Sequence, residues 1–340
     1  MTIQTNMPNY GRRAAADRAL RGCTVVATAL AIVPLFLIIG YVVVIGGSAL
    51  SWDFFTQTYK PPVAVDVSGD AGAIDPATGL PADFGGITLD PTTGLPVAAD
   101  AAPAPDAAAP AQGDTIEVQS AGGVLHGIVG TLMITIVALL IALPIGIMAG
   151  IFLAEYPNNG LATFIRFASD VLSGAPSIVV GVVGFTLLVQ QFQTYSGIAG
   201  SVALTFLMVP TIARTTEEIL KLVPNATREA AMAMGAPQWY STLTVIVPTA
   251  LSGIVTGALL AFARGAGETA PLLLTIQGNS NLSFNMLAPM AALPLLTYKY
   301  IESPFPAENQ LAWGTAFVLM MLVLGVNLTV RLVTSRIKKA

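Results

Sequence analysis

Six stretches of this 340-residue chain are apolar for long enough to cross a lipid bilayer, and no other feature limits its fold as tightly. A hydrocarbon core about 30 Å thick needs about 20 mostly apolar residues per helical span. The stretches run from about Thr24 to Ser48, His126 to Tyr156, Asp170 to Gln190, Ile198 to Glu217, Val247 to Ile276 and Trp313 to Thr334. Only 10% of the residues are charged, against about 25% in an ordinary soluble domain. Lipid offers the backbone no hydrogen bonds, and runs of this length satisfy their own amides only as helices. The fold class is therefore all-α, a polytopic membrane protein with six transmembrane helices.

Orientation follows from lysine and arginine, which short cytoplasmic loops retain. Arg12, Arg13, Arg18 and Arg21 precede the first stretch; Arg166 lies between the second and third; Arg214, Lys221 and Arg228 lie between the fourth and fifth; Arg331, Arg336, Lys338 and Lys339 end the chain. These are 12 of the 15 basic residues, and an even number of spans puts them all on one side with both termini in the cytoplasm. The first stretch also follows a basic tail, as a signal peptide does. Its apolar run exceeds the 7–15 residues usual for such a peptide's core and ends in no clear cleavage site. It is read as a retained helix at 23–50 behind a tail at 1–22. Cys23, the single cysteine, forms no disulfide within the chain.

Residues 51–122 shift to Ala, Pro, Gly and Asp, with ten acidic residues against Lys60 alone. That composition predicts a disordered, extracytoplasmic spacer. It repeats "DPATGLP" (Asp75 to Pro81) as "DPTTGLP" (Asp90 to Pro96), a turn pattern without calcium-loop spacing. From 124 to 335 the chain reads as one five-span unit. The outer stretch "NMLAPMAALPLL" is broken by Pro289 and Pro294 and reads as a re-entrant or interfacial helix rather than a seventh span.

Between the fourth and fifth spans, residues 224–247 predict a helix, a tight turn and a second helix on the cytoplasmic face. Asn225 caps the first helix, Glu229 places a negative charge in its first turn, and Gly235 ends it in a left-handed conformation. Ala230 and Ala231 leave room for a close-fitting surface, and Pro237 starts the second helix. By physics alone this is either a docking loop or a capped helix pair lying on the membrane.

"EAAMAMG" (Glu229 to Gly235), followed nine residues later by "VIVP" (Val245 to Pro248), resembles the EAA loop of bacterial ABC importer permeases, with Val245 and Val247 where that pattern has Ile and Leu. "IFLAEY" (Ile151 to Tyr156), "GAPSIVVG" (Gly174 to Gly181) and "RGAGETAPLLLT" (Arg264 to Thr275) resemble the phosphate importer permeases, PstA type rather than PstC type. The acidic insert is longer than that family's usual loop. The resemblance implies a MetI-like permease core that docks on an ATPase subunit through Glu229, Ala230, Ala231, Gly235 and Pro237. It also implies a PstC-type permease partner, two PstB-type ATPase subunits, a PstS-type phosphate-binding protein, surrounding lipid, no nucleic acid, and a location in the inner membrane of a bacterium. The chain would hold no cofactor, with ATP and magnesium on the ATPase subunits. No lysine follows a glycine, so a phosphate-cradling G-x-x-x-x-G-K is missing. One histidine, His126, and one cysteine are too few for a catalytic triad or a zinc site; His126 is placed at a membrane boundary.

Arg264 and Glu268 remain, two charges inside an apolar run. A central arginine costs about 2.5–3.5 kcal/mol on insertion scales, so such groups face a bundle interior or an aqueous path. Four residues apart on one helix, they pair. The pair either fixes helix packing or lends Arg264, with Thr269 beside it, to a passing phosphate, whose oxygens suit the guanidinium fork. Pro176 and Ser177 either expose carbonyls and a hydroxyl to that path or simply mark a kink. Sulfate and molybdate are the rival substrates, and a membrane phosphate-sensing scaffold or an ATPase-independent carrier the rival functions.

Overall fold

The computed structural model describes residues 10–60, 64–65, 88–89, 96–97, 117–118 and 122–337. The outermost tails, and the turn repeat apart from Pro96, fall outside them. The chain divides into two units, Pro61–Ser120 and the remainder. In chain order the helices and strands are α1 (Tyr10–Tyr41), α2 (Trp52–Thr56), β1 (Ala64–Val65), β2 (Thr88–Leu89), β3 (Pro96–Val97), β4 (Glu117–Val118), α3 (Leu125–Glu155), α4 (Gly160–Gly174), α5 (Ser177–Gly184), α6 (Gln190–Phe192), α7 (Gly197–Lys221), α8 (Asn225–Ala233), α9 (Gln238–Ser241), α10 (Val247–Ala266), α11 (Ala270–Thr275), α12 (Leu293–Ile301) and α13 (Pro306–Ile337). Five-residue π-helical turns extend α1, join α5 to α6 and join α9 to α10. Within Pro61–Ser120 the described strands form two antiparallel pairs, β1 with β4 and β2 with β3.

Among the described residues, five helical segments are long and apolar enough to cross a membrane: Ala15–Gly46, Leu125–Glu155, Gly197–Lys221, Gln238–Ala266 and Pro306–Leu332. The third expected span differs from its sequence reading. It is a pair of helices, Gly160–Gly174 and Ser177–Phe192, bent by 103° at Ala175 and Pro176. Pro176 has no N–H to donate and disfavours helical geometry at Ala175, which is extended (φ −66°, ψ 138°). The fifth span also differs, for its helix stops at Ala266 and restarts at Ala270. In "NMLAPMAALPLL" the helix starts only at Leu293, with Pro294 in its first turn. Residues 285–292 before it are irregular, yet Met290, Ala291 and Ala292 are buried.

The centre of the fold is the seam between α3 and α7. Gly130, Ile134, Ala138, Ala142, Gly146 and Gly150 recur every fourth residue, and all are buried. That spacing gives α3 one narrow ridge of mostly small side chains. A Cβ at Gly146 would lie 2.7 Å from Ile212 Cβ, and one at Gly150 would lie 2.7 Å from the Ala213 carbonyl oxygen. The helices approach closely because the ridge has nothing to displace, the small-residue packing of lipid-embedded helices. Hydroxyl groups add polar ties, Ser201 donating to the Ile134 carbonyl at 3.0 Å and Thr205 to the Ala138 carbonyl at 3.2 Å.

At the His126 end of α3, the first ten residues of the expected spacer group with the helical unit instead, and Phe54 among them enters its core. Ser51 caps α2, its hydroxyl accepting from Phe54 N–H at 3.1 Å, and Phe54 is 1% exposed against Val124 and Leu311. A phenyl ring gains by burial wherever a core lies within reach, and composition does not show which core is in reach. Tyr59 donates to Glu308 at 2.6 Å and stacks on Tyr300. Burial, aided by that carboxylate, pushes the Tyr59 phenol up to about 12, so it stays a donor at neutral pH. Across the neck of the insert, Tyr59 bridges to Gly122.

The seam makes a stability prediction. Gly150→Leu must force α3 from α7 and is expected to destabilise the protein by about 1–3 kcal/mol, the usual range for overpacking. Thermal unfolding in detergent, compared with Gly47→Leu where no neighbour lies within 4 Å, checks it.

Candidate functional site

The turn between α8 and α9 has the expected shape with two shifts. Gly235 has φ +85°, the left-handed conformation that favours glycine. Asn225 is the first residue of α8 rather than its cap; the capping position is Pro224, extended at ψ 140° and without a side chain that hydrogen-bonds. Glu229 therefore sits past the first turn. Pro237 occupies the position before α9 in the same extended way. Glu229, Ala230, Gly235 and Pro237 are exposed and Ala231 half-buried. Around them Met234 is 88% exposed and Trp239 64%, an apolar surface on a turn that carries no buried residue in α8.

Two carboxylates that the sequence reading passed over hold this end of the molecule. Glu155, the last residue of α3, pairs with Arg228 of α8 and accepts a hydrogen bond from Gln238 of α9 at 3.3 Å. Arg228 also donates to the Leu220 carbonyl of α7 at 2.9 Å. Glu217 of α7, its side chain 2% exposed, meets Arg166 at 2.8 Å, Lys221 at 2.6 Å and Arg214 at 3.7 Å. Arg166 spends its other donors on the Leu153 and Pro157 carbonyls, which joins α4 to the end of α3. The signal existed: each glutamate closes an apolar stretch, and the cost of burying charge that marked Arg264 applies equally to them.

Arg264 and Glu268 are 3.7 Å apart, with side chains 40% and 19% exposed. They do not share a helix, because α10 ends at Ala266 and the pair closes across the turn at Gly267. Their depth follows from packing. A Cβ at Gly253 would meet Ile219, one at Gly257 would meet Thr215, and one at Gly265 would overlap Met208. α10 therefore runs antiparallel to α7 and reaches Met208, midway along its 25 residues, at Arg264 and Gly265. The break falls at half the depth of the span.

A second break lies at the same level. A Cβ at Gly181 of α5 would lie 2.9 Å from Pro271 Cα, and one at Gly184 would lie 3.3 Å from Thr275 Cγ2. Carried back along both helices, this register sets Ser177 level with the turn that holds Glu268. Gly184 also meets Ala203 at 2.9 Å, so α5 descends α7 toward the same midpoint. The register thus sets Pro176 and Ser177 at a depth similar to that of Arg264, Glu268 and Thr269, with α5 packed on α11. Thr269 lines a 520 Å³ cavity with Gly267, Pro294, Thr297 and Asn327. His126, by contrast, is 3% exposed at the opposite end of α3 from the turn, enclosed near α12.

Known proteins resemble this chain. Residues 146–339 match the family described as binding-protein-dependent transport system inner membrane component. The phosphate transport system permease protein PstA of Pasteurella multocida is 44% identical over 212 residues, 62% of this chain and 76% of that protein. Its namesake in Haemophilus influenzae is 45% identical, over 62% of this chain and 75% of that protein; that of Mycobacterium leprae is 41% identical, over 61% and 69%. An inward-facing MetNI methionine ABC transporter structure shares the fold at 22% identity, with a TM-score of 0.50, covering 63% of this chain and 94% of its own.

Two of the three cations around Glu217 should differ in worth. Arg166, 23% exposed with three acceptors, belongs to a buried pair whose loss costs roughly 3–5 kcal/mol. Lys221, 49% exposed, is expected to cost about 1 kcal/mol at most. Thermal unfolding of Arg166→Met and Lys221→Met measures the order.

Proposed function

Because this chain belongs to the binding-protein-dependent transport system inner membrane components, we infer that it is the permease subunit of an ATP-driven inorganic phosphate importer of the PstA type. The names of its relatives supply the substrate. The observation on the chain itself that carries the reading is the Arg264–Glu268 pair, set where two spans break at half depth. Broken spans present helix N-termini, with their partial positive charge, to an anion at the middle of a membrane. Arg264 adds a planar donor fork, held by Glu268 while the path is empty.

The membrane is the inner membrane of a bacterium, with both termini and the Gly235 turn in the cytoplasm. A PstC-type permease completes the path, a PstS-type protein delivers phosphate, and two PstB-type ATPase subunits hydrolyse ATP with magnesium. The ATPase docks on the exposed face of the turn, where Met234 and Trp239 offer apolar surface of the kind interfaces bury. Its closure moves the turn, and the bundle switches the side to which the Arg264 level opens. The contact with phosphate must be weak to release it, and a 3.7 Å, partly exposed pair suits that need better than a buried clamp.

Reconstitution of the four-component assembly in vesicles tests this reading, with ATP-dependent phosphate uptake challenged by sulfate. Phosphate uptake that sulfate does not reduce is expected; sulfate uptake in its place would refute the substrate. Arg264→Gln is expected to lower uptake at least a hundredfold while the subunits still co-purify. Gly235→Pro, which fixes φ near −65° where +85° is needed, is expected to abolish uptake and leave membrane insertion unchanged.

A further inference from the structure

The Glu155 carboxylate touches both arms of the turn, Arg228 before Gly235 and Gln238 after it. It is only 8% exposed, and Arg228 is 18% exposed. α8 itself buries no residue and has no side-chain cap, so hydrogen bonds and charge, not apolar burial, fasten it to the bundle. Those bonds reach both helices of the central seam, Glu155 being the end of α3 and Leu220, the second acceptor of Arg228, lying in the last turn of α7. A 290 Å³ cavity lined by Glu155, Lys221, Arg228, Met232 and Gln238 leaves space around the contact. The arm is pinned at one point and otherwise loosely packed.

From that point α3 runs 31 residues without interruption, about 46 Å at 1.5 Å per residue. At its far end Thr131 accepts a hydrogen bond from Leu293 N–H at 2.7 Å, where α12 begins. Glu155 is thus joined to the opposite face through this one helix, Pro144 within it, a contiguous physical connection of the kind coupling requires. We propose that Glu155 is a positioning residue of the transport cycle: its contacts with Arg228 and Gln238 make the α8–α9 turn and the α3–α7 seam move as one body. Without it the turn still binds the ATPase, but its motion no longer drives the bundle.

The proposal rests on the importer reading, so the test uses the whole assembly with two independent measurements. One is phosphate moved per ATP hydrolysed; the other is amide hydrogen exchange over residues 225–233. Glu155→Gln is expected to keep the ATPase subunits bound and hydrolysing, to lower the transport ratio at least fivefold and to speed exchange in 225–233 at least tenfold. Arg228 and Glu155 share one contact and each has another of its own, so Glu155→Gln combined with Arg228→Gln should cost less than the two single losses multiplied together. Unchanged exchange, an unchanged ratio, losses that multiply in the double variant, or loss of uptake in proportion to loss of bound ATPase would each overturn the proposal. A wild-type assembly that moves no phosphate would refute the importer reading, and the exchange measurement would still decide Glu155.

Discussion

The close approach of α3 and α7 governs the rest of this molecule. Lipid gives two helices little hydrophobic reason to associate, so a tight seam has to come from shape and from shared hydrogen bonds. Here the shape is a ridge of four-residue spacing from Gly130 to Gly150, and the bonds are those of Ser201 and Thr205. Two further helices take their level from α7. α10 lies against it through Gly253, Gly257 and Gly265, α5 through Gly184, and the two helix breaks fall at the same depth only because both helices are registered on that one scaffold.

The charges separate into two kinds once exposure and geometry are compared. Glu217 and Glu155 have side chains 2% and 8% exposed, with several donors each. Stripping such a carboxylate of its partners would strand a charge in low dielectric, so these groups hold a fixed arrangement. Arg264 and Glu268 meet at a longer distance with more exposure. A pair at that distance lacks a tight hydrogen bond and is held less rigidly than the buried ones. The first kind fastens helices to one another, and the second leaves its groups more freedom to move.

Much of this was legible in the sequence, and the failures share a cause. Length and hydropathy located the spans, since satisfying the backbone in lipid is a local demand of each segment. Glycine at 235 announced its turn because its φ is a local property. What could not be read was whatever depended on a neighbour. Hydropathy ran straight across Ala175–Pro176 and across Gly267, since apolar content does not register the direction of a chain. Composition placed Ser51–Lys60 with the spacer, although Phe54 belongs to the core beside Val124. The sequence offers Arg264 with Glu268 and Thr269, and Pro176 with Ser177, as two separate groups. That they stand at a similar depth emerges only from packing on α7.

The neck of the acidic insert has a different consequence. Tyr59 and Gly122 bridge one another, so the 61 residues from Pro61 to Ala121 leave and rejoin the bundle at a single gate. For a loop with fixed ends, each doubling of length costs only about 0.6 kcal/mol. The appendage can grow, shrink or be exchanged by mutation with almost no penalty to the membrane core. Its length is then left open by the requirements of folding.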